Sequence, residues 1–206
     1  MQISQELARD LLKIKAVQIN PNDYFTWASG IKSPIYCDNR ISMSYPMVRQ
    51  FIANAFVELV EQMEEQPDVI AGCATAGIPH AAWLSERLNL PMVYVRSKPK
   101  GHGKGNQIEG ESVTGQKVLV IEDLISTGGS SLDAVVALRN SGARVLEVMS
   151  IFTYGLRKAQ ANFEAADINY RSLTNYEEVI QVLLEKEMLS EKEKFILLKW
   201  RNTIDS

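Results

Sequence analysis

Apolar positions follow two periods along this chain, and their alternation predicts its organisation. Leu7, Leu11, Leu12 and Ile14 recur at helical spacing and predict a first helix over about 4–16. Short strand-like runs around Tyr24–Trp27 and Pro34–Asp38 flank a Ser29-Gly30 turn. Val48, Ile52, Phe56, Leu59, Val60 and Met63 then predict a long helix over about 44–64. From there the pattern becomes regular: strand DVIAG, helix PHAAWLSERL, strand MVYVR, a polar Gly-rich gap, strand KVLVIED, helix GGSSLDAVVALRNS, strand ARVLEVMSIFT and helix LRKAQANFEAA. Strands separated by helices of about ten to fifteen residues predict an α/β fold whose parallel sheet is covered on both faces. Residues 168–206 read as a short strand and two helices. By position they are expected to join residues 1–40 in a small accessory piece beside a core over 41–167, all within one domain of 206 residues.

Composition narrows the class. Hydrophobic residues make up 46% and charged residues 23%, the balance of a soluble globular chain. A net charge of -3 and a pI near 5.5 argue against a whole-surface nucleic-acid binder. No apolar run approaches the ~18 residues of a membrane span. The first residues, MQISQELARDLLKIKA, lack the apolar stretch of a signal peptide. Cys37 and Cys73 make neither a disulfide framework nor a metal-ligand spacing, and are expected to be free thiols in the cytoplasm.

The gap SKPKGHGKGNQIEGES (97–112) is longer than an ordinary α/β loop, and such loops tend to be functional. Arg96, Lys98, Lys100, His102 and Lys104 place a basic residue at every second position among glycines. An acidic chain has gathered positive charge on one arm.

The densest chemistry lies in VLVIEDLISTGGSS (118–131). Glu122 and Asp123 stand at the carboxyl end of an expected parallel strand, where open α/β sheets bind their ligands. Ser126, Thr127, Gly128, Gly129 and Ser130 follow at a helix start, whose unpaired N–H groups and dipole attract anions. Glycine lets a backbone approach a phosphate, and hydroxyls add donors. The carboxylates suit vicinal sugar hydroxyls or a divalent cation carried by a polyphosphate. STGGSS alone is equally an ordinary helix cap. No Walker-type or dinucleotide-binding glycine pattern occurs.

VLVIEDLISTGGSS resembles the phosphoribosyl pyrophosphate (PRPP) motif of type I phosphoribosyltransferases. FTWASGIKSPIYCDNR (25–40) is similar to the N-terminal hood strands of the orotate-specific branch of that family, and YVRSKPKGHGKG (94–105) to its mobile catalytic loop. The resemblance implies a type I phosphoribosyltransferase core with a small hood formed by the N-terminal, and possibly C-terminal, residues. It implies PRPP and orotate as substrates, Mg2+ as cofactor, pyrophosphate as leaving group, and a homodimer with shared active sites. Glu122 and Asp123 would hold the ribose hydroxyls, and Leu124, Ile125, Ser126, Thr127, Gly128, Gly129 and Ser130 would wrap the 5'-phosphate. Ser126 would also meet orotate. Arg96, Lys100 and His102 would reach pyrophosphate across the dimer, with Lys100, His102 and Asp123 the catalytic set. CATAGIP (73–79) looks like the family's pyrophosphate loop.

This chain departs from many relatives by carrying Ala28 and Ala76 in place of lysines. Arg157 lies a few residues late for the arginine expected near Tyr154. Orotate's carboxylate is left to other donors, Lys32 or backbone amides. His80, beside Pro79 at a helix start, reads as structural, and Cys73 as a small apolar residue at a strand end. Two rivals stand beside the enzyme: transfer to another nucleobase, which the hood argues against, and a PRPP-sensing regulator. A regulator has no need of the basic loop and would need a nucleic-acid-binding appendage. The basic arm lacks the interleaved aromatics of a nucleic-acid site.

Overall fold

The computed structural model describes residues 2–26, 30, 32–98 and 107–204. The chain opens with α1 (Gln2–Lys13) and four short strands, β1 (Val17–Ile19), β2 (Phe25–Thr26), β3 (Lys32–Ser33) and β4 (Ile35–Cys37). A 3-10 turn over Asn39–Ser44 leads into α2 (Pro46–Glu61). Pro46 sits in the first turn of α2, where its missing N–H has no intrahelical partner to lose. Then follow β5 (Val69–Cys73), α3 (Gly77–Leu88), β6 (Met92–Val95), β7 (Ile108–Glu109), β8 (Lys117–Ile125), α4 (Gly129–Asn140), β9 (Arg144–Thr153) and α5 (Arg157–Ala165). The chain continues through β10 (Asn169–Asn175), α6 (Tyr176–Glu185) and α7 (Glu191–Ile204). No described helix is long and apolar enough to cross a membrane.

Six strands make the central sheet in the order β10-β9-β8-β5-β6-β7. All neighbours run parallel except β7, which turns back antiparallel on β6. Val118, Leu119, Val120 and Ile121 of β8 are fully buried, as a central strand covered on both faces requires. The chain passes from β5 to β6 on one side and then to β8 on the other. The strand order therefore reverses between β5 and β8, and a crevice opens at their carboxyl ends. Both chemically rich segments, 73–79 and 122–130, emerge there.

The polar gap over 97–112 proves shorter than its composition implies. Tyr94 pairs with Glu109 and Val95 with Ile108, so the arm rises from a hairpin stem. The Arg96 N–H donates to the Gln107 carbonyl at 2.8 Å, and Gln107 Nε2 returns a bond to the Arg96 carbonyl at 2.9 Å.

Residues 169–175 form the outer edge of the central sheet beside β9 rather than joining the N-terminal strands. The far end of β10 still meets α1, where Ser4 Oγ donates to Thr174 Oγ1 at 3.2 Å, and α6 and α7 also return to the N-terminal segment. Trp200 Nε1 donates to the Lys32 carbonyl at 3.0 Å, Asn22 to Glu193 at 3.2 Å, and Arg9 pairs with Glu185 at 3.3 Å. The β2–β3 ribbon and the turn before it are thus fastened to α7, and α1 to α6.

Candidate active site

Strand β8 outruns its neighbour. Its ladder with β5 ends at Gly72↔Ile121, but pairing with β9 continues to Ile125↔Thr153. The next residues, Glu122 and Asp123, therefore border the crevice. Directly across it α3 begins at Gly77, two residues before the start that the Pro79 punctuation implies. A Cβ on Gly77 would lie 2.4 Å from the Ile121 carbonyl oxygen, so only glycine lets this helix meet β8 so closely.

The two acids are not equivalent. Glu122 is 5% exposed; its Oε2 accepts from Ser130 Oγ at 3.1 Å and Ser131 Oγ at 3.5 Å. Its Oε1 accepts the Asp123 N–H at 3.1 Å. Burial, reinforced by the charge of Asp123, pushes its pKa up to about 8. Burial also raises the pKa of Asp123, against the pull of its hydrogen bonds and Arg40. Asp123 is only half-buried and is the acid open to the crevice. Cys73, at the end of β5, has its thiol pKa driven up by burial and then by Glu122.

The turn after β8 is held from behind. Ile125 is fully buried, and its carbonyl accepts from Thr153 Oγ1 at 3.1 Å and the Tyr154 N–H at 3.2 Å. Leu124, Ser126 and Thr127 are half-buried, and Gly129 and Ser130 are exposed. Gly128 has φ +83, and a Cβ there would lie 2.5 Å from Phe163 Cε2. Asn162 Nδ2 donates to the Thr127 carbonyl at 2.9 Å. No side chain caps α4, leaving the first N–H groups of the helix to face an incoming anion.

Around these elements lie residues to which the sequence alone assigns no role at the site. Asn39, fully buried, donates from Nδ2 to the Asp123 carbonyl at 2.7 Å. Arg40 grips Asp38 through two bonds of 2.6 and 2.8 Å, which holds the Asp38 carboxyl below its usual range. Asn39 and Asn162 meet partners 84 and 35 residues away, so only the fold reveals them.

Of the residues singled out in sequence, Glu122 through Ser130 gather at one end of the sheet. Ser130 directs its hydroxyl at Glu122. Arg96 sits at the root of the arm, its guanidinium 3.3 Å from Glu109. Lys32 donates from Nζ to Thr26 Oγ1 at 2.7 Å, within the β2–β3 ribbon. Ala76 precedes the first residue of α3. Lys100, His102, Lys104 and Ala28 lie outside the described residues. Arg157 opens α5, after the site's last turn.

Comparison with known proteins agrees with this geometry. The model of the phosphoribosyl transferase domain matches residues 45–186. An orotate phosphoribosyltransferase of Oceanobacillus iheyensis is 62% identical over 202 residues, 98% of this chain and 100% of that one. The solved orotate phosphoribosyltransferase of Aeropyrum pernix superposes with a TM-score of 0.76 at 28% identity, covering 89% of this chain and 99% of its own. Leishmania donovani UMP synthase gives a TM-score of 0.80 at 25% identity; 97% of this chain matches 42% of that longer protein. An acid pair at a strand end, a glycine turn at an uncapped helix and full-length kinship converge, and the chain belongs to the orotate phosphoribosyltransferase family.

Proposed function

We propose that this protein transfers the 5-phosphoribosyl group of PRPP to orotate, giving orotidine 5'-monophosphate and pyrophosphate for pyrimidine synthesis in the cytoplasm. One observation carries the reading: Asp123 is open at the crevice and stands one short turn before the uncapped N-terminus of α4. That spacing fits a ribose between its own 5'-phosphate and the acids. The phosphate meets the amides of residues 126–130, with the Ser126 and Thr127 hydroxyls as further donors. Asp123 accepts from the ribose hydroxyls, and Glu122 holds Ser130 and Ser131 so that the turn keeps its shape. Residues 1–40 with α6 and α7 serve as the hood over the base.

Bond breaking at C1' builds positive charge on the ribose and negative charge on pyrophosphate. Positioning and electrostatics dominate such a step, and a ring nitrogen of orotate supplies the nucleophile. The Asp123 carboxylate, open at the crevice, lies where the ribose turns cationic. Lys100 and His102 on the arm meet the leaving group, and closure keeps water from capturing the sugar. Mg2+, when bound with the polyphosphate of PRPP, would supply positive charge to the departing pyrophosphate. The donor set fits a cation shared with substrate oxygens, since Asp123, the acid open to the crevice, would hold it from the protein side.

We further read the enzyme as a homodimer, each arm completing its partner's site. Orotate consumption with PRPP and Mg2+, assayed beside uracil, hypoxanthine and adenine, tests the reaction. Turnover of orotate alone is the expected result; preference for another base, or PRPP binding without turnover, overturns it.

A further inference from the structure

In a parallel ladder, alternate residues turn their backbone groups to opposite neighbours. Glu122 and Leu124 pair with β9, through Ser150 and Phe152. Asp123 therefore turns its N–H and C=O towards the side from which β5 has already departed. Groups in that position lose their ladder partners and need others, because buried backbone polar groups are almost always paired. The N–H finds Glu122 Oε1 at 3.1 Å. The carbonyl finds Asn39 Nδ2 at 2.7 Å, at the short end of the range for such bonds.

Asn39 is itself fixed on every side. It is fully buried, its Oδ1 accepts from Cys37 Sγ at 3.6 Å, and its carbonyl accepts from Ser42 Oγ at 2.6 Å. A neutral amide is the residue type this place requires. A lysine would bring a cation that competes with the ribose for Asp123, and an aspartate would set a third carboxylate beside two. Asp38 and Arg40, on either side of Asn39, already pair with one another. Asn39 lies two residues beyond the end of β4, so one hydrogen bond ties the N-terminal strands to the acids.

We infer that Asn39 is a positioning residue for the reaction: by holding the peptide plane of Asp123 it aims the carboxylate at the ribose. The inference rests on the reading of Asp123 as a ribose contact. It gives a role to a residue that the hood stretch FTWASGIKSPIYCDNR contains but does not mark out, and it predicts that Asn39 acts through Asp123 rather than through general stability.

A double-mutant cycle on the full-length protein tests it, using Asn39→Ala, Asp123→Asn and the pair, with PRPP affinity measured by calorimetry in the absence of orotate. Loss of a bond that leaves a buried carbonyl unpaired is expected to weaken PRPP binding about tenfold. In the Asp123→Asn background the same change should weaken it less than about twofold, because contacting residues are coupled. Asn39→Leu keeps much of the shape, loses the donor and adds no charge, and it carries the same cycle if Asn39→Ala does not fold. In turnover assays the KM for PRPP should rise while that for orotate stays within about twofold. Losses that multiply independently, or wild-type PRPP affinity in Asn39→Ala, overturn the inference. A wild-type protein that binds PRPP but ignores orotate overturns the proposed reaction and leaves this cycle readable.

Discussion

Asn162 donates to the Thr127 carbonyl at 2.9 Å, so α5 holds the turn that leads into α4. Asn162→Ala removes that tether without touching any ligand. The expected outcome is a KM for PRPP raised about three- to tenfold, the equivalent of a hydrogen bond of about 1 kcal/mol, with melting shifted by only a few degrees. Saturation kinetics beside thermal denaturation will show whether the turn depends on it.

Gly128→Ala meets two obstacles at once, a φ of +83 and an aromatic carbon 2.5 Å from the new methyl. Destabilisation of about 2–3 kcal/mol is expected. Adding Phe163→Ala removes the clash and leaves the dihedral strain, but also empties the packing of Phe163 on Tyr170, whose rings stack 4.4 Å apart. The double variant should therefore not recover wild-type stability. Denaturant titration of the three proteins decides the matter.

Glu122 carries a stability term with a definite sign. Its folded pKa of about 8 lies above the 4.5 of an unrestrained glutamate, so the folded chain holds the proton more tightly. That contribution is full below pH 4.5 and is lost as pH rises through about 8. Glu122→Gln removes the charge, so the melting temperature of the free variant should gain on wild type from pH 5 to pH 8. PRPP affinity should fall in the same variant. A constant difference across that range would show that Glu122 does not titrate as described.

His80 gives the opposite slope. It is 1% exposed, neither ring nitrogen has a partner, and its edge packs on Trp83 at 5.3 Å. Burial depresses its pKa from 6.5 to about 4. The unfolded chain therefore takes up a proton first, and stability falls as pH drops from about 6.5 to 4, by roughly 3 kcal/mol in full. His80→Leu should flatten that fall, and unfolding curves at pH 7, 6, 5 and 4 will measure it.

The proposed sharing of sites between subunits predicts complementation. Lys100→Ala and Asp123→Asn are each expected to be nearly inactive alone. Subunit exchange between them should restore up to about a quarter of full activity, because a mixed dimer holds one intact site and one doubly damaged site. Confirmed exchange without recovery would place each arm over its own subunit.

The sequence announces the frame through its periodicity. The run KVLVIED marks the most buried strand, and the Glu-Asp step marks its carboxyl end, because a central parallel strand reads as unbroken apolar residues. What it conceals follows from distance and shortness. Ile108–Glu109 is too brief, inside a polar tract, to declare itself as a strand; it forms because β6 offers an open edge. Glu122 and Asp123 look alike as neighbours in sequence. Their difference arises from the strand's alternation and from Ser130 and Ser131 reaching back from α4. Asn39 and Asn162 sit in segments whose patterns say nothing of Asp123 or Thr127. Lys32, left open as a ligand in sequence, makes its hydrogen bond to Thr26 inside its own ribbon.

The hairpin stem has a bearing on how such a protein diversifies. Arg96 and Gln107 are bonded to one another in both directions, so the two ends of the intervening segment stay together whatever lies between them. The entropy of closing a loop grows only slowly with its length, by about 0.6 kcal/mol per doubling. Residues 97–106 can therefore gain, lose or exchange side chains without disturbing the strands beneath. Selection on the leaving-group chemistry proposed for that segment and selection on folding act on separable stretches of one chain.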